Sequence, residues 1–219
     1  ICGQFKTLHG VDLPIDALDR LLAQLDDALY LDSPRFSTAR GAIYADYARR
    51  PERLFFHAGE SYPAEGDELR AFLDAQFISP NGPGRPQPNS RSLPSAIVAP
   101  HIDYHRGGPA YAWAYRALTD ATELPELIVV FGTDHQGSIE PFTFTHKHYS
   151  TPLGTLQTDG AVVDAMIESA RKGHGDEAAK LLTHAELIHR AEHSLEFQMI
   201  WLRYCLDRID PTAHERVRV

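Results

Sequence analysis

Apolar residues along the chain fall first at helical intervals and later in strand-like runs. From Pro14 to Leu31 they sit at Ile15, Leu18, Leu21, Leu22, Leu25, Ala28 and Leu29, the three-and-four spacing of an amphipathic helix. Asp12 and Asp16 stand near its start, where acids suit the helix dipole. Ser37–Arg50 carries Ala39, Ile43, Tyr44 and Tyr47 and predicts a second helix, ended by Pro51. Glu65–Phe77, with Leu69, Phe72 and Leu73, predicts a third. Between 79 and 94 large apolar residues nearly vanish, and Pro80, Gly82, Pro83, Gly84, Pro86, Pro88 and Pro94 mark a linker or exposed loop.

Beyond that segment the pattern alternates. The continuous apolar runs Ala96–Ala99 and Leu127–Phe131 read as buried strands, and Phe142–Thr145 as a short one. Pro109–Leu118, Gly160–Ala170, Ala178–Leu187 and Glu192–Leu206 read as helices, the second capped by Asp159 or Thr158. Strand, helix and strand in series predict an α/β fold: a layered, largely parallel or mixed sheet flanked by helices, with a helical N-terminal extension. The expected organisation is 1–78 mainly helical, 79–94 a linker or loop, and 95–219 the α/β domain.

Composition adds limits. A hydrophobic content of 43% over 219 residues can bury a sizeable core. Thirty acidic against 21 basic residues, a formal charge of −9, argue against a general nucleic-acid binder. No apolar run has the length of a membrane span, and the first residues lack the features of a secretory signal. A cytoplasmic protein is expected, with no membrane partner. The chain starts without Met, so it is expected to begin inside a longer gene product. Cys2 and Cys205 lack CxxC spacing and are expected to be reduced thiols.

The chemistry concentrates in three places. His101 follows the run Ala96–Ala99 and opens His101-Ile102-Asp103-Tyr104-His105-Arg106-Gly107-Gly108. His135 follows Leu127–Phe131 in Gly132-Thr133-Asp134-His135. Two parallel strands ending in histidines would bring both imidazoles to one sheet edge, where α/β folds bind ligands. His193 lies at the start of the last long helix in Glu192-His193-Ser194-Leu195-Glu196. Imidazole is the commonest metal ligand and the usual acid/base group near neutral pH. Asp134 can hold the tautomer of His135 or cap a turn. Gly107-Gly108 permit a tight turn or close ligand approach, and the helix from Pro109 has free N–H groups that could face an anion. Glu192 and Glu196 offer metal or proton-transfer chemistry, or simply suit a helix start. His146 and His148 alternate on a strand; His174, His184, His189 and His214 read as surface residues. No GxGxxG, P-loop, GxSxG or HExxH occurs.

Five motifs in order carry a resemblance: His57-Ala58-Gly59-Glu60-Ser61-Tyr62-Pro63, Ala99-Pro100-His101-Ile102-Asp103-Tyr104, Gly132-Thr133-Asp134-His135, Thr151-Pro152-Leu153-Gly154 and Glu192-His193-Ser194-Leu195-Glu196. Together they resemble the Memo family, component B of the AmmeMemoRadiSam system, from about Arg53 to Leu206. Residues 1 to about 50 look like the N-terminal extension of longer bacterial members. The resemblance implies a fold similar to class III extradiol dioxygenases, with His101 and His135 as metal ligands and His193 as the pocket acid/base. Asp103, Tyr104, Asp134 and Glu192 would support the ligands or line the substrate pocket. The implied cofactor is a divalent metal, Fe(II) first, with copper or zinc as alternatives. The implied partners are a small-molecule substrate and operon partners of the system. The alternative is a non-catalytic metal-binding or interaction module. The chain departs from the family pattern at Ile102-Asp103, where Ala-Gly is usual. The later Ser-Ser-Asp-like strand with its histidine or cysteine ligand is absent, so a third ligand is expected only from Asp103 or solvent.

Overall fold

The computed structural model describes residues 1–87 and 92–219. The chain forms two compact units, 1–49 and 50–219. The first holds α1 (Cys2–His9), α2 (Ile15–Asp27) and α3 (Pro34–Arg49). Helix α1 has no counterpart in the sequence reading; Gly10, at φ 71°, ends it in the left-handed conformation that glycine adopts without steric cost. Of the residues in α2 and α3 only Tyr47 is buried.

The second unit is α/β, with helices dominating. It contains β1 (Glu52–Arg53), α4 (Gly66–Ile78), α5 (Tyr104–Thr119), β2 (His148–Tyr149), α6 (Gly160–His174), α7 (Asp176–His184), α8 (His193–Ile209) and α9 (Ala213–Arg216). A 3-10 turn, Glu186–Arg190, joins α7 to α8. Strands β1 and β2 pair in parallel, Glu52 with His148 and Arg53 with Tyr149. Helix α4, which the sequence grouped with the N-terminal helices, belongs to this unit: Leu69, Leu73 and Phe77 are buried in its core.

Helix α8 is the centre. Residues 196–206 are all buried, so this helix is covered on every face. Trp201 is stacked by Tyr111 and Tyr115 of α5, with ring centroids 5.8 and 5.7 Å away, and meets Phe77 of α4 edge-on. Helix α5 starts five residues earlier than Pro109 predicts. Asp103 is its N-cap, accepting the Arg106 N–H, and Pro109 lies inside it. The two glycines before Pro109 serve packing, not a turn. A Cβ on Gly108 would lie 2.2 Å from the Gln76 side chain of α4, and one on Gly107 would lie 2.6 Å from Ile102.

The apolar runs at 96–99, 127–131 and 142–145 are not strands. Among the described residues, the only ladder contact in them is the bridge between Leu127 and Arg218. A strand needs a hydrogen-bonded neighbour, and apolar pattern cannot supply one. Val98, Val129 and Phe131 are accordingly exposed. The described part of the proline-rich segment is tied to α5: Trp113 donates to the Asn81 carbonyl at 2.9 Å and Arg116 to that of Pro83. Pro88–Arg91 of that segment lie outside the described residues. No helix among the described residues is long and apolar enough to cross a membrane.

Candidate metal centre

Glu192 organises the site from the N-terminus of α8. As N-cap its Oε1 accepts the Ser194 N–H at 2.9 Å. The same carboxylate reaches the 132–135 segment: Oε2 accepts the His135 N–H and Oε1 lies 3.0 Å from His135 Nδ1. An ionised carboxylate only accepts, so His135 carries its proton on Nδ1 and leaves Nε2 with a free lone pair. Burial raises the Glu192 pKa, but the hydrogen bonds from His135 and Ser194 together hold it below the usual value.

Gly132 lets this segment lie against α8. A Cβ there would come 2.6 Å from both Leu195 Cγ and Ser194 Oγ. The Ser194 hydroxyl then binds Thr133 twice, accepting its N–H and donating to its carbonyl, each at 2.9 Å. The Pro100 carbonyl, next to His101, accepts from Gln198 of α8 at 2.9 Å. One helix therefore anchors both histidine-bearing segments and contributes His193 itself.

The three imidazoles converge. Ring centroids lie 5.1 Å apart for His101 and His135, 5.9 Å for His101 and His193, and 4.5 Å for His135 and His193. One nitrogen from each lies within 4.8 Å of the others, an arrangement that can hold a metal ion. Burial, reinforced by the neighbouring His135, His57 and His101, lowers the His193 pKa against the pull of Glu192. The neutral imidazole so favoured is the form that binds metal. The donor set fits a divalent transition metal, with Glu192 behind His135 in the supporting position such ligands require.

The histidines open on a pocket of about 440 Å3 lined also by His57, Ser61, Asp103, Arg106 and Phe197. His57, whose place in the motif His57–Pro63 gives no sign of a role, joins this pocket. Its Nε2 lies 3.0 Å from the Ala191 carbonyl, and its ring meets His193 edge-on at 6.0 Å. Its backbone is fixed by Glu196, which accepts the N–H groups of Phe56 and His57. Glu196 is 1% exposed and also receives Tyr62 and the fully buried Arg53. It thus braces the pocket from beneath.

The other residues singled out from sequence divide. Asp103 lines the pocket while capping α5. Tyr104 does not: it is fully buried, and its hydroxyl donates to the Phe197 carbonyl at 2.7 Å. Asp134 faces away from the His135 ring and accepts the N–H groups of Gln136, Gly137 and Ser138, capping a turn. His189 is not a surface residue; it is buried, bonded to the Tyr149 hydroxyl and the Thr143 carbonyl. His146 pairs with Asp164, His184 with Glu140, and His148 accepts the Thr158 N–H. Both cysteines are free.

A family model described as Memo-like protein matches residues 53–218. Among curated relatives, a MEMO1 family protein of Methanopyrus kandleri is 33% identical over 151 residues, covering 67% of this chain and 50% of its own length. One from Ignicoccus hospitalis is 32% identical over 155 residues, with the same shares. One from Aquifex aeolicus is 24% identical over 207 residues, covering 94% of this chain and 50% of its own length. The chain spans about half the length of the curated relatives it matches.

Proposed function

The chain belongs to the Memo-like family, and on that premise we propose that its three-histidine pocket binds a divalent metal, Fe(II) first, for oxidoreductase chemistry of the ring-cleaving dioxygenase type. The observation that carries this is the convergence of His101, His135 and His193 at one open pocket. These three side chains would hold the ion. When bound, such an ion supplies open coordination positions and redox chemistry.

The chain's own residues do the rest. Glu192 fixes the His135 tautomer and turns Nε2 into a donor. Phe197 gives the pocket an apolar wall, and Ser61 and His57 give it polar contacts for a small molecule. The resemblance makes His193 the acid/base group. Its nitrogen lies inside the donor set, so ligation and proton transfer compete for it.

Metal analysis of anaerobically purified protein tests the reading. The wild type should retain metal, and His101→Ala with His135→Ala should lose it; equal content would overturn the proposal. His193→Ala separates the two roles of that residue, since a ligand's loss drops affinity and an acid/base group's loss does not. Oxygen uptake with a catechol panel on the iron-loaded protein tests the chemistry. Copper or zinc in the purified protein would replace Fe(II) in this reading.

The position of His193 within the donor set favours a second reading: a non-catalytic metal-binding or interaction module acting with AmmeMemoRadiSam partners. Bound metal without oxygen uptake across the panel would select it.

A further inference from the structure

Arg106 stands at the same pocket as the three histidines and is held there on one edge only. Asp103 fastens it twice. One carboxylate oxygen accepts the Arg106 backbone N–H at 3.1 Å, and the other accepts the side-chain Nε–H. This clamp occupies the Nε edge of the guanidinium. Its two terminal nitrogens have no protein partner among the described residues, and the side chain is 75% exposed. Guanidinium offers five N–H donors in a planar fork that matches the two oxygens of a carboxylate or phosphate. Here most of that fork is unused.

The charge balance favours an anion. A divalent ion on neutral imidazoles keeps both its charges, and Glu192 offsets one. Asp103 and Arg106 cancel each other. The loaded pocket stays positive although the chain as a whole carries −9. A neutral ligand would leave both the excess charge and the guanidinium fork without a partner.

We propose that Arg106 makes this pocket selective for a small molecule carrying an oxyanion, a carboxylate or phosphate, beside the group that reaches the three histidines. This rests on the metal-site reading above. The sequence signal for it is slight: Asp103 and Arg106 sit three apart at a helix start, the spacing at which a cap can also grip a side chain.

The test compares 3,4-dihydroxybenzoate, catechol and inorganic phosphate by calorimetry on zinc-loaded protein. The wild type should bind 3,4-dihydroxybenzoate about ten- to a hundredfold more tightly than catechol, the range expected for a charge-assisted pair. Phosphate should compete with it if the site accepts any oxyanion, and should not if a carboxylate is required. Arg106→Gln should erase the preference while the protein still binds zinc, no more weakly than the wild type because the freed Asp103 charge favours the cation; exposure of the side chain and retention of the backbone cap should leave the fold intact. Arg106→Glu should reverse the preference. A wild type that binds zinc but treats the two catechols alike overturns the proposal. Should the wild type fail to bind zinc, the metal-site reading falls, and the same preference is read on metal-free protein from the histidine ring resonances. Its absence there also overturns the role of Arg106.

Discussion

Glu192 holds His135 at two points: Oε2 accepts its backbone N–H at 3.0 Å, and Oε1 lies 3.0 Å from its ring Nδ1. The same carboxylate caps α8 through Ser194, so the helix that carries His193 and the segment that carries His135 share one anchor.

Glu192→Gln breaks this arrangement while keeping its shape. An amide has one acceptor oxygen, and its NH2 group cannot receive the N–H groups of His135 or Ser194. Metal affinity should fall by about 10- to 100-fold, the usual cost of losing a ligand's hydrogen-bond partner. Zinc titration against a competing chelator measures it. Unchanged affinity would mean that the carboxylate only caps the helix.

The Arg53–Glu196 pair should be among the costliest to break. Both side chains are buried, at 0% and 1% exposure, and Arg53 also donates to the carbonyls of His189 and Glu192. Arg53→Ala leaves a buried carboxylate without its cation and should cost about 3–5 kcal/mol in urea unfolding. The double variant Arg53→Met with Glu196→Leu should not recover stability, because the N–H groups of Phe56 and His57 then lose their acceptor. Full recovery would show that the pair is dispensable for the local fold.

Gly132→Ala probes the contact between the His135 segment and α8. The added methyl would sit 2.6 Å from Leu195 Cγ and Ser194 Oγ, so one of them must move. Destabilisation of about 1–3 kcal/mol is expected from such overpacking. Metal affinity should fall with it, as Thr133 loses its seat on Ser194. A variant matching the wild type in both measurements would show that this contact is slack.

His189 should give stability a pH dependence that sets in as pH falls below about 7. Burial lowers its pKa and Arg53 adds to this, while the bond to the Thr143 carbonyl and the acids Glu186 and Glu192 oppose them. A lowered folded pKa means that the unfolded chain takes up the proton first. The stabilisation is therefore present above about pH 6.5 and is lost as pH falls towards the folded pKa, by at most about 1.4 kcal/mol per unit. His189→Gln should show a shallower loss over this range than the wild type. Equal slopes would mean that His189 titrates alike in both states.

The sequence by itself determined most of the helices and which histidines to single out. Leu69, Leu73 and Phe77 mark α4, and Asp159 marks the start of α6, where it accepts the Val162 N–H as a cap. These are local properties, set by side-chain spacing within one or two turns. His101, His135 and His193 were legible because each follows an apolar run or opens a helix, and five short motifs in order identify the family.

Only the tertiary structure decided what those groups meet. Asp134, beside His135 in sequence, turns into its own loop, while Glu192, 57 residues away, holds the ring. The third imidazole of the cluster is His193, 58 residues beyond His135 and delivered by the helix that packs at the core. Gly107 and Gly108 look like a turn and are instead where α5 packs closely against Ile102 and α4. The apolar runs before His101 and His135 look like strands, yet a ladder exists only where a second backbone lies alongside. Local pattern fixes a residue's secondary structure and chemistry. Its partners depend on which distant segments the core brings within hydrogen-bonding reach, and no spacing along the chain encodes that distance.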